Sequence, residues 1–149
     1  MAKIVDIAKA LATALTLNGF PEAEARAMPY LKREQLDGRK TVVTYRNVTY
    51  EEDARDDYYR VYELAIAIQG PLRPDENGFD DDAVEDFLDD VERLVELWGE
   101  DGSLRHATIL DAEYVSGPEH ITGSVFEHLL ANDEHQFFSW TLVRYGLPA

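Results

Sequence analysis

Cysteine is missing altogether from these 149 residues. Disulfides, thiol nucleophiles, zinc–thiolate sites and iron–sulfur ligation are therefore closed to the chain's own side chains, and a reducing cytoplasm is its simplest compartment. Positive charge is scarce: 14 Lys and Arg stand against 30 Asp and Glu, a formal net charge of −16. Duplex backbones and anionic membranes are poor partners for such a chain, because both need clustered cations. Solubility, a basic partner and mimicry of nucleic acid remain open. Long apolar runs are absent as well. No window approaches the ~20 apolar residues of a membrane span, and Met1 to Asp6 lacks the continuous apolar core of a signal peptide. There is no Gly-x-Ser-x-Gly, no P-loop and no Gly-x-Gly-x-x-Gly. Ser103, Ser116, Ser124 and Ser139 lie outside any nucleophile elbow.

What is present is a globular composition. Hydrophobic residues make up 45% and aromatics 11%, enough to exclude a disordered polymer. The length fits one domain, residues 1–149, and no repeat or low-complexity linker divides it.

Ile4, Ile7, Ala8, Leu11, Ala12 and Leu15 recur at helical spacing and predict a helix over 3–17, stopped by Asn18-Gly19. Its thin polar face implies burial on more than one side. Pro21 fits the first position of a short helix through Ala27, and Met28 to Leu31 reads as extended. Lys40 to Arg46 and Tyr58 to Gln69 read as strands. Asn47 to Asp57 and Arg73 to Gly78 read as loops. In the second strand the larger Arg60, Tyr62, Leu64, Ile66 and Ile68 alternate with Val61, Ala65 and Ala67. The small side chains there are expected to admit a helix. Leu104 to Val115 is a further strand, ended by Ser116-Gly117-Pro118. Ser124 to Leu130 is one or two helical turns, and Gln136 to Tyr145 is a closing strand. The pattern predicts an α+β fold, a mostly antiparallel sheet with an N-terminal helix and a central amphipathic helix packed on it.

The central helix, Asp80 to Trp98, is the strongest signal. Val84, Phe87, Leu88, Val91, Leu94, Val95 and Trp98 fall on one face, while Asp81, Asp82, Glu85, Asp86, Asp89, Asp90, Glu92 and Glu96 crowd the other. Like charges at i,i+4, such as Asp82/Asp86 and Glu85/Asp89, cost ~0.2–0.5 kcal/mol each, together about 1–2.5 kcal/mol, and Asp89/Arg93 returns a fraction. Burying the apolar face at roughly 1.5–3 kcal/mol per large side chain outweighs this. The acidic face is either a solvated surface, a docking face for a basic partner, or a wall that DNA slides past.

His106, His120, His128 and His135 form no metal-ligand spacing. Asp75 to Asp80 superficially follows a calcium loop, but its glycine falls at position four and the twelfth residue is Asp86, so the EF-hand reading is rejected. No metal, no cofactor and no enzymatic activity are expected. Arg144 reads as an inward arginine with a carboxylate partner, an intersubunit pair, or an edge charge that discourages aggregation.

The order of elements resembles a family. Tyr62-Glu63-Leu64-Ala65-Ile66-Ala67-Ile68, Val84 to Trp98, and Gln136-Phe137-Phe138-Ser139-Trp140-Thr141-Leu142-Val143-Arg144-Tyr145 are similar to the tail terminator (tail completion) proteins of long-tailed bacteriophages. The last segment resembles a Phe-x-Ser-x-x-Leu-x-Tyr-Arg-like ending, with Arg-Tyr here in place of Tyr-Arg. The resemblance implies a structural virion protein of the tail and neck, assembled in the host cytoplasm. Its copies would form a ring, typically hexameric, that caps the tail tube and meets the head–tail connector while DNA passes through the lumen. The candidate interaction surface is then Asp82, Glu85, Asp86, Asp89 and Asp90 on the acidic helix, Glu51, Glu52 and Asp53 in the loop, and Arg46, Arg60 and Arg144. The rival readings are an acidic DNA mimic that inhibits a DNA-binding enzyme, and another small adaptor or completion protein of the neck.

Overall fold

A computed structural model describes residues 2–28, 31, 38–50, 58–72, 74–75, 78–79, 81–120 and 136–148. In chain order the elements are α1 (Lys3–Leu17), β1 (Glu24–Ala25), β2 (Lys40–Tyr50), β3 (Tyr58–Pro71), β4 (Pro74–Asp75), β5 (Gly78–Phe79), α2 (Asp81–Glu96), β6 (Glu113–His120) and β7 (Gln136–Pro148). The main sheet is five-stranded, in the order β1-β2-β3-β7-β6. All its pairings are antiparallel except β1 with β2, so the α+β architecture read from the sequence holds.

The closing strand lies inside the sheet, between β3 and β6. Its aromatic and β-branched residues suit a strand flanked on both sides. Along β3 and β7 the side chains alternate in phase. Leu64, Ile66 and Ile68 share a face with Val143, Tyr145 and Phe137, and this face meets Ile7, Leu11 and Leu15 of α1 and Val84, Phe87, Val91 and Leu94 of α2. Both helices therefore cover one side of the sheet. The expected approach of a helix to Ala65 and Ala67 is not what forms. Helices pack on the face with the larger aliphatic side chains, and Ala67 instead shares a cluster with Leu31, Val42 and the broad rings of Phe138 and Trp140. Small residues leave room, and here aromatic rings take it.

Local chemistry fixes the helix ends. Gly19 adopts φ +96°, and the Phe20 N–H returns to the Leu15 carbonyl at 3.0 Å, the 6→1 bond of a glycine-terminated helix. α1 is buried along one stripe only; Lys9, Thr13, Thr16 and Leu17 stay exposed. α2 is placed by Phe87, whose ring stacks on Phe137 at 4.7 Å and fills the space over Gly70, where a Cβ would collide with it.

Several expectations are corrected. Residues 22–27 form no helix. Glu22 takes φ +57°, which breaks helical continuity, and Glu24–Ala25 pairs with Val42–Val43. Asn47 to Tyr50 continue β2, carried past a bulge between Tyr45 and Asn47. The loop expected over 73–78 contains β4 and opens β5, which pair with each other. The strand expected from Leu104 begins only at Glu113, because Ile109 to Ala112 closes a tight turn. Ser116-Gly117-Pro118 sits within β6 and does not end it; two register shifts take up the irregularity. The helical turns expected over 124–130, and Tyr30 and Pro29 of the extended segment, lie outside the described residues.

Candidate interaction surface

α2 presents Asp81, Asp82, Glu85, Asp86, Asp89, Glu92 and Glu96 on its exposed side, as the helical period requires once Val84, Phe87, Val91 and Leu94 are buried. Asp90 does not belong to that surface. It is 7% exposed, held by Arg39 at 2.8 Å and by Arg93 at 2.9 Å. The reason is angular: Asp90 adjoins Val91 on the margin of the buried stripe, where a carboxylate persists only with a partner. Arg93 thus pairs with Asp90 at i,i+3, not with Asp89. Each guanidinium also covers a ring, Arg39 over Phe87 at 5.5 Å and Arg93 over Phe20 at 4.9 Å. Arg39 reaches Asp86 as well, at 3.4 Å. These contacts fasten α2 to the start of β2 and to the turn after α1.

The three arginines proposed for the surface are not brought together. Arg46 is exposed at the β2 bulge, 5.4 Å from the Trp140 ring. Arg60 lies at one end of β3 and lines a 420 Å³ cleft with Lys3, Asp111, Leu147 and Pro148. Arg144 is no edge charge, because β7 is an interior strand. It bonds Glu119 of β6 at 2.9 Å and approaches Glu63 of β3, its directly opposite partner, at 3.8 Å. Arg144 thus has the carboxylate partners, but on the sheet face away from the two helices and 31% exposed, not turned into their core. Glu51, Glu52 and Asp53 lie outside the described residues.

A polar network that the sequence did not reveal closes the other end of α2. The Trp98 indole N–H donates to the Tyr145 hydroxyl at 2.8 Å. Burial pushes the Tyr145 phenol up to about 12, against the lowering effect of that hydrogen bond. Tyr114 meets the Tyr145 ring edge-on at 6.5 Å and donates to the Gly117 carbonyl. Arg105 donates to the Trp98 carbonyl at 3.1 Å and to the Tyr114 hydroxyl at 3.3 Å. Each group has a structural partner, and the network braces the 97–112 segment against β6 and β7.

Among the described residues, no three His, Asp or Glu side chains group as a metal site, and no helix is long and apolar enough to cross a membrane. His106 is exposed. The chemistry on offer is that of a surface: one helix face crowded with exposed carboxylates, of which Asp86 is met by Arg39. No protein-family model matches the chain, and no curated protein matches it either.

Proposed function

We propose that this chain is a structural subunit that assembles into a ring at the end of a phage-type tail tube, between the tube and the head–tail connector. The observation that carries the reading is the separation of roles on α2. Its apolar residues and Asp90 are consumed by the core, while Asp82, Glu85, Asp86, Asp89, Glu92 and Glu96 are left exposed. Such a face costs stability through like-charge repulsion, and a lumen that must let DNA slide without sticking gives it a use. The order of elements that resembles the tail terminator family also supports the reading. In this role the protein performs no catalysis and needs no cofactor. The virion neck is its place of work, and its partners are other copies of itself, the tube protein and the connector.

The test is the solution mass at moderate salt, with and without magnesium, since screening relieves repulsion between acidic subunits. A closed oligomer, seen as a ring by electron microscopy, supports the reading. Charge reversal by Glu85→Lys with Asp89→Lys should then leave the ring intact and reduce DNA ejection; unchanged infectivity removes the lumen assignment.

The same exposed carboxylates favour a second reading, an acidic DNA mimic. The 16-residue α2 spans roughly 24 Å at ~1.5 Å per residue, and presents its charges along one line. A monomer that binds a basic DNA-processing enzyme in a salt-sensitive way would select this reading over the ring. A neck adaptor or completion subunit is the remaining variant of the first reading, and it differs in which tail component the ring binds.

A further inference from the structure

Asn18 and Gly19 follow α1 directly. An asparagine followed by glycine is open to spontaneous deamidation, because no side chain on the next residue shields its backbone nitrogen. In that reaction the Gly19 nitrogen loses its proton and attacks Cγ of the Asn18 side chain. A new N–C bond forms, the C–N bond of the side-chain amide breaks, and ammonia leaves. Water then opens the five-membered imide at either carbonyl. The product is aspartate, or isoaspartate with the chain rerouted through the side-chain carbonyl. Water is the only co-reactant.

In the fold this chemistry is blocked by geometry. Ring closure needs the Gly19 nitrogen and the Asn18 Cβ on the same side of the Cα–C bond. Asn18 has φ −103° and ψ 20°, and for an L-residue that ψ sets the two atoms on nearly opposite sides. The side chain is held back as well. Its Nδ2 donates to the Ala14 carbonyl at 2.7 Å, and its Oδ1 accepts from the Ser103 hydroxyl at 2.6 Å. The backbone beyond is tied by the Phe20 N–H to the Leu15 carbonyl at 3.0 Å, and by Arg93 of α2, which donates to the Gly19 carbonyl at 3.5 Å. Bringing the nitrogen to Cγ means turning the Cα–C bond, which breaks the Phe20 and Arg93 contacts, and swinging the amide away from Ala14 and Ser103. Gly19 is exposed and Asn18 half-buried, so water has access and conformation is the barrier.

We propose that Asn18 is a spontaneous modification site, kept as an amide by a clasp of the α1 end, Ser103 and Arg93, and converted when that clasp opens. Its rate in the folded protein is then the unfolded-chain rate multiplied by the fraction of time the clasp is open. The change acts back on the clasp. A carboxylate cannot donate to the Ala14 carbonyl. It adds negative charge at the C-terminal end of α1, where the helix dipole disfavours it. Isoaspartate also lengthens the backbone inside the glycine-terminated cap. Modified chains therefore hold α1 less firmly against Ser103 and α2. This inference is independent of the ring reading.

The experiment incubates the wild type and Ser103→Ala at mildly alkaline pH, folded in buffer and unfolded in guanidinium chloride, and follows Asn18 by mass after tryptic digestion. Cleavage after Lys9 and Arg26 isolates a fragment in which Asn18 is the sole amide side chain, and Asn77-Gly78, the chain's other Asn-Gly pair, falls in another fragment. The expected result is at least about tenfold slower conversion in the folded wild type than in denaturant, with folded Ser103→Ala in between. Ser103 is exposed, so its loss should leave the circular dichroism unchanged. Asn18→Asp, the modified product made directly, should lower the thermal midpoint. Equal folded and unfolded rates overturn the inference, as does an Asn18 that stays an amide in denaturant. A folded Ser103→Ala that converts no faster than the wild type overturns the part given to Ser103.

Discussion

The Arg39 guanidinium lies 2.8 Å from the Asp90 carboxylate and ties the residue before β2 to the middle of α2. In a chain with 30 acidic residues, this aspartate is the one that α2 buries. Asp90→Ala should destabilise the protein by about 1–3 kcal/mol, because two guanidiniums lose their anion and remain beside a carboxylate-rich helix. The figure is kept low because both arginines are about half exposed, 51% and 50%, and solvent screens them. Asp89→Ala, on the exposed face, should change stability by no more than about 0.5 kcal/mol. Urea unfolding midpoints of the two variants check the contrast. Equal midpoints would mean that Asp90 is not a structural residue.

Tyr145 gives the protein an alkaline weakness. Its phenol is pushed up to about 12 in the fold, first by burial, from an ordinary 10.0. A raised value means that the folded state prefers the neutral phenol. The associated stability is complete below pH 10 and is lost as pH climbs from 10 towards 12. Tyr145→Phe should shed that alkaline sensitivity and remove a late step from the tyrosinate absorbance titration. At neutral pH it should still lower stability by about 1–3 kcal/mol, because the buried Trp98 N–H loses its acceptor. A wild-type titration with no late step would contradict the assignment.

Among the described residues, three hydroxyls are buried without a partner: Tyr62, Ser139 and Thr141. Ser139 and Thr141 lie between Phe137 and Val143 on the helix-facing side of β7. A buried hydroxyl with no hydrogen bond carries its desolvation cost uncompensated. Thr141→Val keeps the shape and the β-branching, and should raise the unfolding free energy by roughly 0.5–2 kcal/mol. Chemical denaturation is the check. A destabilised Thr141→Val would show that the hydroxyl is satisfied, for instance by a buried water.

Elements with strong periodicity were legible. The α1 pattern placed its ends at Lys3 and Leu17, and the apolar stripe of α2 identified the face that is buried. The β-branched run of β7 showed a strand built into a sheet. Legibility failed where tertiary contacts decide. Glu24–Ala25 pairs with a partner far along the chain, which no local pattern encodes. Proline and glycine in Ser116-Gly117-Pro118 read as a stop, yet an edge strand tolerates them with shifted register. Asp90 looked like any other acid on its helix, because one of the two arginines that hold it, Arg39, lies 51 positions away. The two buried amides of Gln69 and Gln136 show the same limit. The first accepts from the Leu31 N–H at 2.9 Å and the second donates to the Leu31 carbonyl at 2.8 Å, a clip invisible until the strands pair.

The Leu110–Asp111 turn holds two side-chain-bearing residues in the left-handed region. Ile109 and Ala112 exchange backbone hydrogen bonds, each at 2.9 Å, and the two residues between them both have positive φ, +48° and +69°. A two-residue turn with both φ values positive is built for Asn-Gly. Leucine in the left-handed region costs roughly 1–2 kcal/mol, and this leucine is also 44% exposed. Leu110→Asn with Asp111→Gly should therefore raise the thermal midpoint, with a gain of about 1–2 kcal/mol in unfolding free energy. Thermal unfolding of the variant and the wild type is the check. An unchanged or lower midpoint would mean that the left-handed backbone at Leu110 stores no strain that Asn-Gly relieves.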